Sequence, residues 1–344
     1  MAPAQEPSYL VTGASGFLGR HLLQALQADA RPRRALALVR DPQAFARAEW
    51  ARKLDRVEVL AGSPLEPEGW RGDPRLETVC GVFHLAALVR HSRWRAEEVE
   101  TSIVEGSRRV LELAAERGWR AVLVSTSGTV GCFRTAGESA DEDSAPCEEA
   151  IRRWPYYRAK LRAEREAREL ADRLGLELVI ARPPVLLGPG DHRFRSTGML
   201  LRYLEGRLPF LIHGGVAFAD VRDAARALVR AMEIASPRPV YHLPGTASSV
   251  RELFELAEGV CGVPAPRWLL PYRPAWWLAR ATERLGVWLR GEPFTWLPDP
   301  VVVEMASRWW GLRSLHAGRD LGYASRDPRE TLADTLAWLR EHRP

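Results

Sequence analysis

The sequence predicts an α/β fold, a doubly wound parallel sheet followed by a smaller C-terminal domain. Three observations predict it: a glycine turn between an apolar strand and an amphipathic helix, short apolar runs alternating with helical patterns, and the fading of that alternation after residue 181.

The first strand is Tyr9-Leu10-Val11-Thr12, and it runs into Gly13-Ala14-Ser15-Gly16-Phe17-Leu18-Gly19. Leu18, Leu22 and Leu26 then recur every fourth residue, as on one helix face. Glycines leave no Cβ where the backbone must turn sharply, approach a diphosphate and let the helix pack on its strand. The first helical amides, aided by the helix dipole, then face the phosphates. Gly13, Ser15, Gly16, Phe17, Leu18 and Gly19 are the nucleotide contacts this turn predicts.

Residues 35–39 read as a second buried strand closed by Arg40-Asp41-Pro42. In a dinucleotide fold the residue closing this strand, about 20 positions past the glycine turn, meets the adenosine ribose. A carboxylate there suits a free 2′-hydroxyl and a guanidinium suits a 2′-phosphate, so Arg40 predicts NADP, with NAD the alternative. Residues 57–60 form a third strand before Gly62-Ser63-Pro64, and residues 79–85 a fourth that ends in Ala86-Ala87, small enough for a ring or ribose to lie against the backbone. A helix over 97–117, with Ile103, Val110, Leu111 and Ala114 inward, closes at Gly118, and residues 121–124 make a fifth strand. Ligands of such a sheet sit beyond the carboxyl ends of its strands.

Ser125, Thr126 and Ser127 follow the fifth strand, where such a site would collect hydroxyls; capping the turn at Gly128 is their plainer use. Downstream, Tyr156-Tyr157-Arg158-Ala159-Lys160 opens a helix continuing through Leu161, Ala167, Leu170 and Leu174. Tyr156 and Lys160 are four apart and share a face. An ammonium beside a phenol is expected to lower the phenol's pKa and make it a proton donor and acceptor near neutrality. Among 49 basic residues only Lys53 and Lys160 are lysine, so a lysine here departs from the habit of the chain. A guanidinium is bulkier and stays charged.

Composition narrows the function class. The 344 residues are 46% apolar, enough for a substantial core, and the 49 basic residues mix with 44 acidic ones at net charge +5. That is a solvated mixed surface rather than a nucleic-acid groove. Cys80, Cys132, Cys147 and Cys261 lie far apart in sequence and the eight histidines are scattered, so no metal site is expected. Reduced thiols and the lack of a basic leader followed by an apolar run predict a cytoplasmic setting. The lipophilic segment 268–289 is interrupted by Arg273, Arg280, Glu283 and Arg284 and cannot span a bilayer. A packed helix or an aromatic lid is expected there, with lying on a bilayer the alternative.

Gly13 to Gly19, Val82-Phe83-His84-Leu85-Ala86-Ala87, Ser125-Thr126-Ser127, Tyr156 with Lys160, Arg182-Pro183, Gly188-Pro189-Gly190-Asp191 and Asp220-Val221-Arg222-Asp223 together resemble the extended short-chain dehydrogenase/reductase family over nearly the whole chain. The resemblance implies a Rossmann domain over 1–182 and a substrate domain over 183–344, with part of 216–247 returning to the first. It implies Tyr156 as general acid/base, Lys160 on the nicotinamide ribose tuning Tyr156, and Ser127 on the reacting carbonyl or hydroxyl, with Thr126 the fallback. Ser63, Ala86, Ala87, Pro183 and Val185 join the expected cofactor contacts. A homodimer through the helices 97–117 and 156–174 is also implied.

The chain departs from the family pattern at Ile103, where asparagine is common, and at Ser63, where aspartate is common. Val185 and Leu187 stand where the sugar-nucleotide branch places asparagine and tyrosine, so the polar recognition of that branch is missing. The chain looks more like the dihydroflavonol reductase and hydroxysteroid dehydrogenase branch, which implies NADP-linked interconversion of a ketone and a secondary alcohol on a fairly apolar molecule. A nucleotide-sugar epimerase or dehydratase is the alternative enzyme, and a non-catalytic cofactor-binding protein the alternative of another class.

Overall fold

A computed structural model describes residues 6–28, 31, 33–294, 297 and 299–343. Its centre is a seven-stranded parallel sheet. The elements that position the site are β1 (Ser8–Thr12), α1 (Phe17–Ala28), β2 (Arg34–Val39), β3 (Val57–Ala61) and β4 (Val79–His84). There follow a long helix α2 made of Ala96–Glu100, Thr101–Glu105 and Gly106–Arg117, then β5 (Arg120–Val124), α3 (Pro155–Leu174) and β6 (Leu178–Arg182). Further on come α4 (Val221–Glu233), β7 (Val240–His242) and α5 (Tyr272–Arg290).

The strand order is β7-β6-β5-β4-β1-β2-β3. The chain steps outward from β1 to β3, then returns to lay β4 on the other side of β1. The crevice at the carboxyl ends of β1 and β4 is the switch point where open α/β sheets hold their ligands.

Side chains alternate between the two faces of each strand, so each face needs its own cover. Tyr9 and Val11 of β1 pack with Leu22, Leu23 and Leu26 of α1 and with Ala224 and Leu228 of α4. Leu10, one residue out of phase, packs with Val110 and Leu111 of α2 and with Ala167 and Leu170 of α3. Two helices on each face make a Rossmann arrangement. The residues α4 and β7 therefore belong to the main sheet and its cover, while a separate core joins Leu200, Tyr203, Phe218, Phe254, Leu336 and Trp338.

Two details depart from the simple pattern. The helix α2 is π-wound over Thr101–Glu105, with Ile103 fully buried inside the irregular turn. The segment expected as a packed helix or lid is a short strand, Trp268–Leu270, followed by α5, whose buried residues are only Ala275, Ala279 and Gly286. Of its large apolar side chains, Trp277, Leu278, Leu285, Trp288 and Leu289 are exposed, while Trp276 is half-buried against the protein. Among the described residues no helix is long and apolar enough to cross a membrane.

Candidate active site

The floor of the site is the glycine turn. Gly13 has φ +71, and a Cβ there would sit 2.8 Å from the Ala86 amide nitrogen, so β1 and β4 approach too closely for any side chain. A Cβ on Gly19 would lie 2.2 Å from the Gly13 carbonyl, which shows how tightly α1 abuts the turn. Gly16 closes the bend by donating its amide to Gly13 O at 2.9 Å. Phe17 and Leu18 head α1, and their amides have no acceptor within the helix. Exposed Ser15 and half-buried Gly16 leave the lip of the turn open. This cradle fits a dinucleotide diphosphate: short backbone, free amides and the positive end of a helix dipole meet at the switch point.

Beside the turn, Ala86 and Ala87 are half-buried, and Thr12 Oγ1 accepts the Ala86 amide at 3.3 Å. His84 holds Thr12 from below through Nδ1 at 2.8 Å and reaches Ser107 through Nε2 at 3.1 Å. Burial, with the Lys160 charge nearby, pushes the His84 imidazole down to about 3, so it is neutral and structural. Ser63 is half-buried, its hydroxyl accepting from the Leu65 amide. At the end of β2, Arg40 is exposed and has no ion pair among the described residues. Asp41 is committed elsewhere, capping the next helix by accepting the Ala44 amide at 2.8 Å.

The three hydroxyls after β5 have different fates. Ser125 is buried and donates to Glu164. Thr126 is the N-cap of the turn Ser127–Thr129, accepting the Gly128 amide at 3.3 Å. Ser127 is held through its backbone amide, which donates to Pro183 O at 2.8 Å, while its hydroxyl has no hydrogen-bond partner among the described residues. The turn is pressed on the start of α3: a Cβ on Gly128 would meet the Tyr157 ring at 2.0 Å.

Pro155 at the first helical position starts α3, and Tyr156 and Lys160 lie along it. The Tyr156 ring packs beside Ala87 and Leu88 and edge-on to His91, with centroids 5.3 Å apart. Its hydroxyl, like that of Ser127, has no partner among the described residues. Lys160 is buried and donates from Nζ to Val124 O, the last carbonyl of β5, at 2.7 Å. Burial pulls the Lys160 ammonium down to about 8, against the pull of the nearby Glu164 carboxylate.

The expected depression of the Tyr156 phenol is not found. Burial pushes it up to about 12, since the ring is enclosed by His91, Tyr157 and Ala87 while the Lys160 ammonium is turned toward the strand end. In this structure Tyr156 is a protonated phenol at neutral pH.

Several contacts around the site carry no signal in the sequence. Glu164, one turn beyond Lys160, forms a fully buried ion pair with Arg182 at the end of β6, with Nε–Oε1 at 3.1 Å, and also receives Thr129 Oγ1 at 3.2 Å. Arg182 reaches His242 Nε2 at 3.2 Å, and His242 Nδ1 meets Arg313 O at 3.1 Å. His91 has a buried Nδ1 with no partner among the described residues, and burial beside the Arg195 charge lowers it to about 4. These contacts join residues far apart in the chain, which no local spacing reveals.

The loop after β6 passes over the mouth of the turn. Pro189 O meets His21 Nε2 at 2.8 Å, and a Cβ on Gly188 would come within 3.8 Å of the Phe17 ring. Asp191 Oδ2 accepts the Ser196 and Thr197 amides at 2.9 and 3.0 Å and shapes the end of that loop. Pro183 is buried and Val185 exposed, at 40% of its surface. Asp220 and Asp223 serve structure: Asp220 caps α4, and both carboxylates pair with Arg326.

An open cavity of about 1080 Å³ lies against Trp154. It is lined by Trp154, Arg153, Cys147, Tyr272, Glu304 and Arg308 among others, and not by Ser127, Tyr156 or Lys160. Cys132 and Cys147, distant in sequence, are neighbours at its edge, and all four cysteines are free thiols. Glu304 pins its rim, accepting from Arg93 at 2.9 Å, Trp154 Nε1 at 2.8 Å and Trp276 Nε1 at 2.9 Å. Among the described residues no group of three or more His, Cys, Asp or Glu could hold a metal ion.

Comparison with known proteins places this arrangement. Residues 9–243 match the NAD dependent epimerase/dehydratase family. Sterol demethylase protein B of Methylococcus capsulatus is 27% identical, over 96% of this chain and 98% of its own length. Cinnamoyl-CoA reductase 1 of Oryza sativa subsp. japonica is 31% identical, over 72% of this chain and 73% of its own. The crystal structure of gox2253 superposes with a TM-score of 0.80 at 27% identity, covering 98% of this chain and 99% of that one. The chain therefore belongs to the NAD dependent epimerase/dehydratase family and is an NAD(P)-dependent oxidoreductase of the extended short-chain dehydrogenase/reductase type.

Proposed function

We propose that the chain uses NADP(H) to interconvert a ketone and a secondary alcohol on a fairly apolar small molecule, with Ser127, Tyr156 and Lys160 as its catalytic residues. The observation that carries the reading is the pair of unpartnered hydroxyls, Ser127 and Tyr156, beside a cradle for a dinucleotide, while the neighbouring Ser125 and Thr126 are committed to structure.

In the reductive direction Ser127 donates a hydrogen bond to the carbonyl oxygen and polarises it. Tyr156, protonated at neutral pH, hands its proton to the same oxygen as negative charge develops. Lys160 spends one N–H on Val124 O and keeps two for the ribose hydroxyls, through which it would act on Tyr156. The nicotinamide, when bound, supplies the hydride. Gly13, Ser15, Gly16, Phe17, Leu18, Gly19, Ser63, Ala86, Ala87, Pro183 and Val185 would line the dinucleotide.

NADP is favoured by Arg40, an exposed guanidinium at the end of β2 with no ion pair among the described residues, whose neighbour Asp41 is occupied as a helix cap. An apolar substrate is favoured by exposed Val185 and buried Leu187 where a nucleotide sugar needs polar partners. We assign substrate binding to 183–344 outside α4 and β7, and propose a homodimer through α2 and α3.

The family description keeps a nucleotide-sugar epimerase or dehydratase as the second reading. One experiment separates them: carbonyl compounds and nucleotide sugars are screened with NADPH and with NADH. A reductase oxidises NADPH in step with product; an epimerase gives product with no net absorbance change and overturns the reading. On the substrate found, Tyr156→Phe lowers kcat by about a hundredfold or more. Arg40→Ala lowers the preference for NADPH over NADH by roughly tenfold, and an unchanged ratio removes the NADP assignment.

A further inference from the structure

The helix α5 is inside out. Its small residues Ala275, Ala279 and Gly286 face the protein, with the half-buried Trp276 beside them. Trp277, Leu278, Leu285, Trp288 and Leu289 lie on the opposite side, and Trp277 and Trp288 are 65% and 79% exposed. Their spacing puts all five on one helical face. The adjoining strand adds Trp268, 74% exposed, paired in register with Phe210, which is also exposed. Isolated exposed apolar residues are ordinary, but a whole face of large ones marks an interaction surface.

The charge on the same helix says what covers it. Its 19 residues carry Arg273, Arg280, Arg284 and Arg290 against a single acid, Glu283. Arg280 pairs with Glu283 and Arg290 with Glu292 just beyond the helix, while Arg273 and Arg284 are exposed and have no ion pair among the described residues. An apolar face with tryptophans, flanked by unpaired arginines, matches the boundary between headgroups and acyl chains of an anionic bilayer. A second copy would set like charge against like.

We propose that α5 lies in the plane of an anionic membrane surface and docks the chain there, with Trp277, Trp288 and Trp268 entering the acyl boundary and Arg273 and Arg284 meeting lipid phosphates. The helix is too short of apolar residues and too charged to cross, so the contact is peripheral. Tyr272, its first residue, also lines the cavity against Trp154, so a docked chain presents that cavity's rim to the lipid. The docking does not depend on which reaction the site performs.

The test is flotation of the whole chain with vesicles of phosphatidylcholine alone or with added phosphatidylglycerol, followed by tryptophan emission. Binding to the anionic vesicles, a blue shift and release at high salt are expected. Arg273→Gln and Arg284→Gln each weaken the binding constant about fivefold. Trp277→Ser and Trp288→Ser each weaken it about tenfold or more, with thermal melts unchanged because both side chains are exposed. Three outcomes overturn the proposal: no binding to anionic vesicles, equal binding to both compositions with no effect of the arginines, or a tryptophan variant that sediments as a smaller species, which would make the face a contact between copies.

Discussion

Lys160 is a charged group kept in a place that disfavours its charge. Its pKa falls from 10.5 to about 8, so between those values the unfolded chain holds a proton that the folded chain has released. Stability from this group therefore rises with pH through that window and is lowest below about pH 8. Lys160→Met is expected to abolish turnover yet stabilise the fold by on the order of 1–2 kcal/mol at pH 7, after the lost bond to Val124 O is allowed for. The gain should shrink toward zero by pH 10, as read from paired thermal melts; a variant less stable at pH 7 would contradict the burial account. At this scale Tyr156 and Lys160 were legible because both lie on one helix, where spacing alone fixes a shared face. The direction of the Tyr156 shift was not legible, because it depends on His91 and Ala87 closing around the ring from another part of the chain.

Between elements, a buried ion pair near the site fastens α3 to the end of β6. Glu164 and Arg182 are 2% and 4% exposed, so removing either charge leaves the other buried and uncompensated. Glu164→Gln is expected to cost about 3–5 kcal/mol of stability, while Glu164→Leu combined with Arg182→Met recovers most of it. Urea unfolding of these proteins and of the single variants Glu164→Leu and Arg182→Met measures this, and losses that simply add in the double variant would show that the pair is not a unit. The strands and main helices could be read from the sequence because each carries its own apolar period. The π-wound turn around Ile103 could not, since nothing local to it distinguishes that turn from the rest of α2. Nor could the outward face of α5: the same apolar period serves a helix that packs inward or one that looks out, and only the small residues Ala275, Ala279 and Gly286 decide which side is buried.

For the whole molecule, the expected pairing of two copies through α2 and α3 must contend with the charge on those helices. Arg158 and Arg162 both reach Glu100, at 3.3 and 2.6 Å, on the outward side. Sedimentation is expected to show a dimer at low salt and a monomer for the double variant Arg158→Glu, Arg162→Glu, which sets two new acids beside Glu100 and Glu166; a monomeric wild type would dismiss the pairing. The glycine turn and switch point were readable from the first nineteen residues and the strand pattern. The union of β7 with β6 across some sixty residues is set by the sheet as a whole.

Glu304 gives the outer surface a grip on the interior. One carboxylate holds Trp276 of the exposed helix and Trp154, two residues ahead of Tyr156. Any force that slides α5 along its axis must stretch one of those bonds or drag the start of α3 with it.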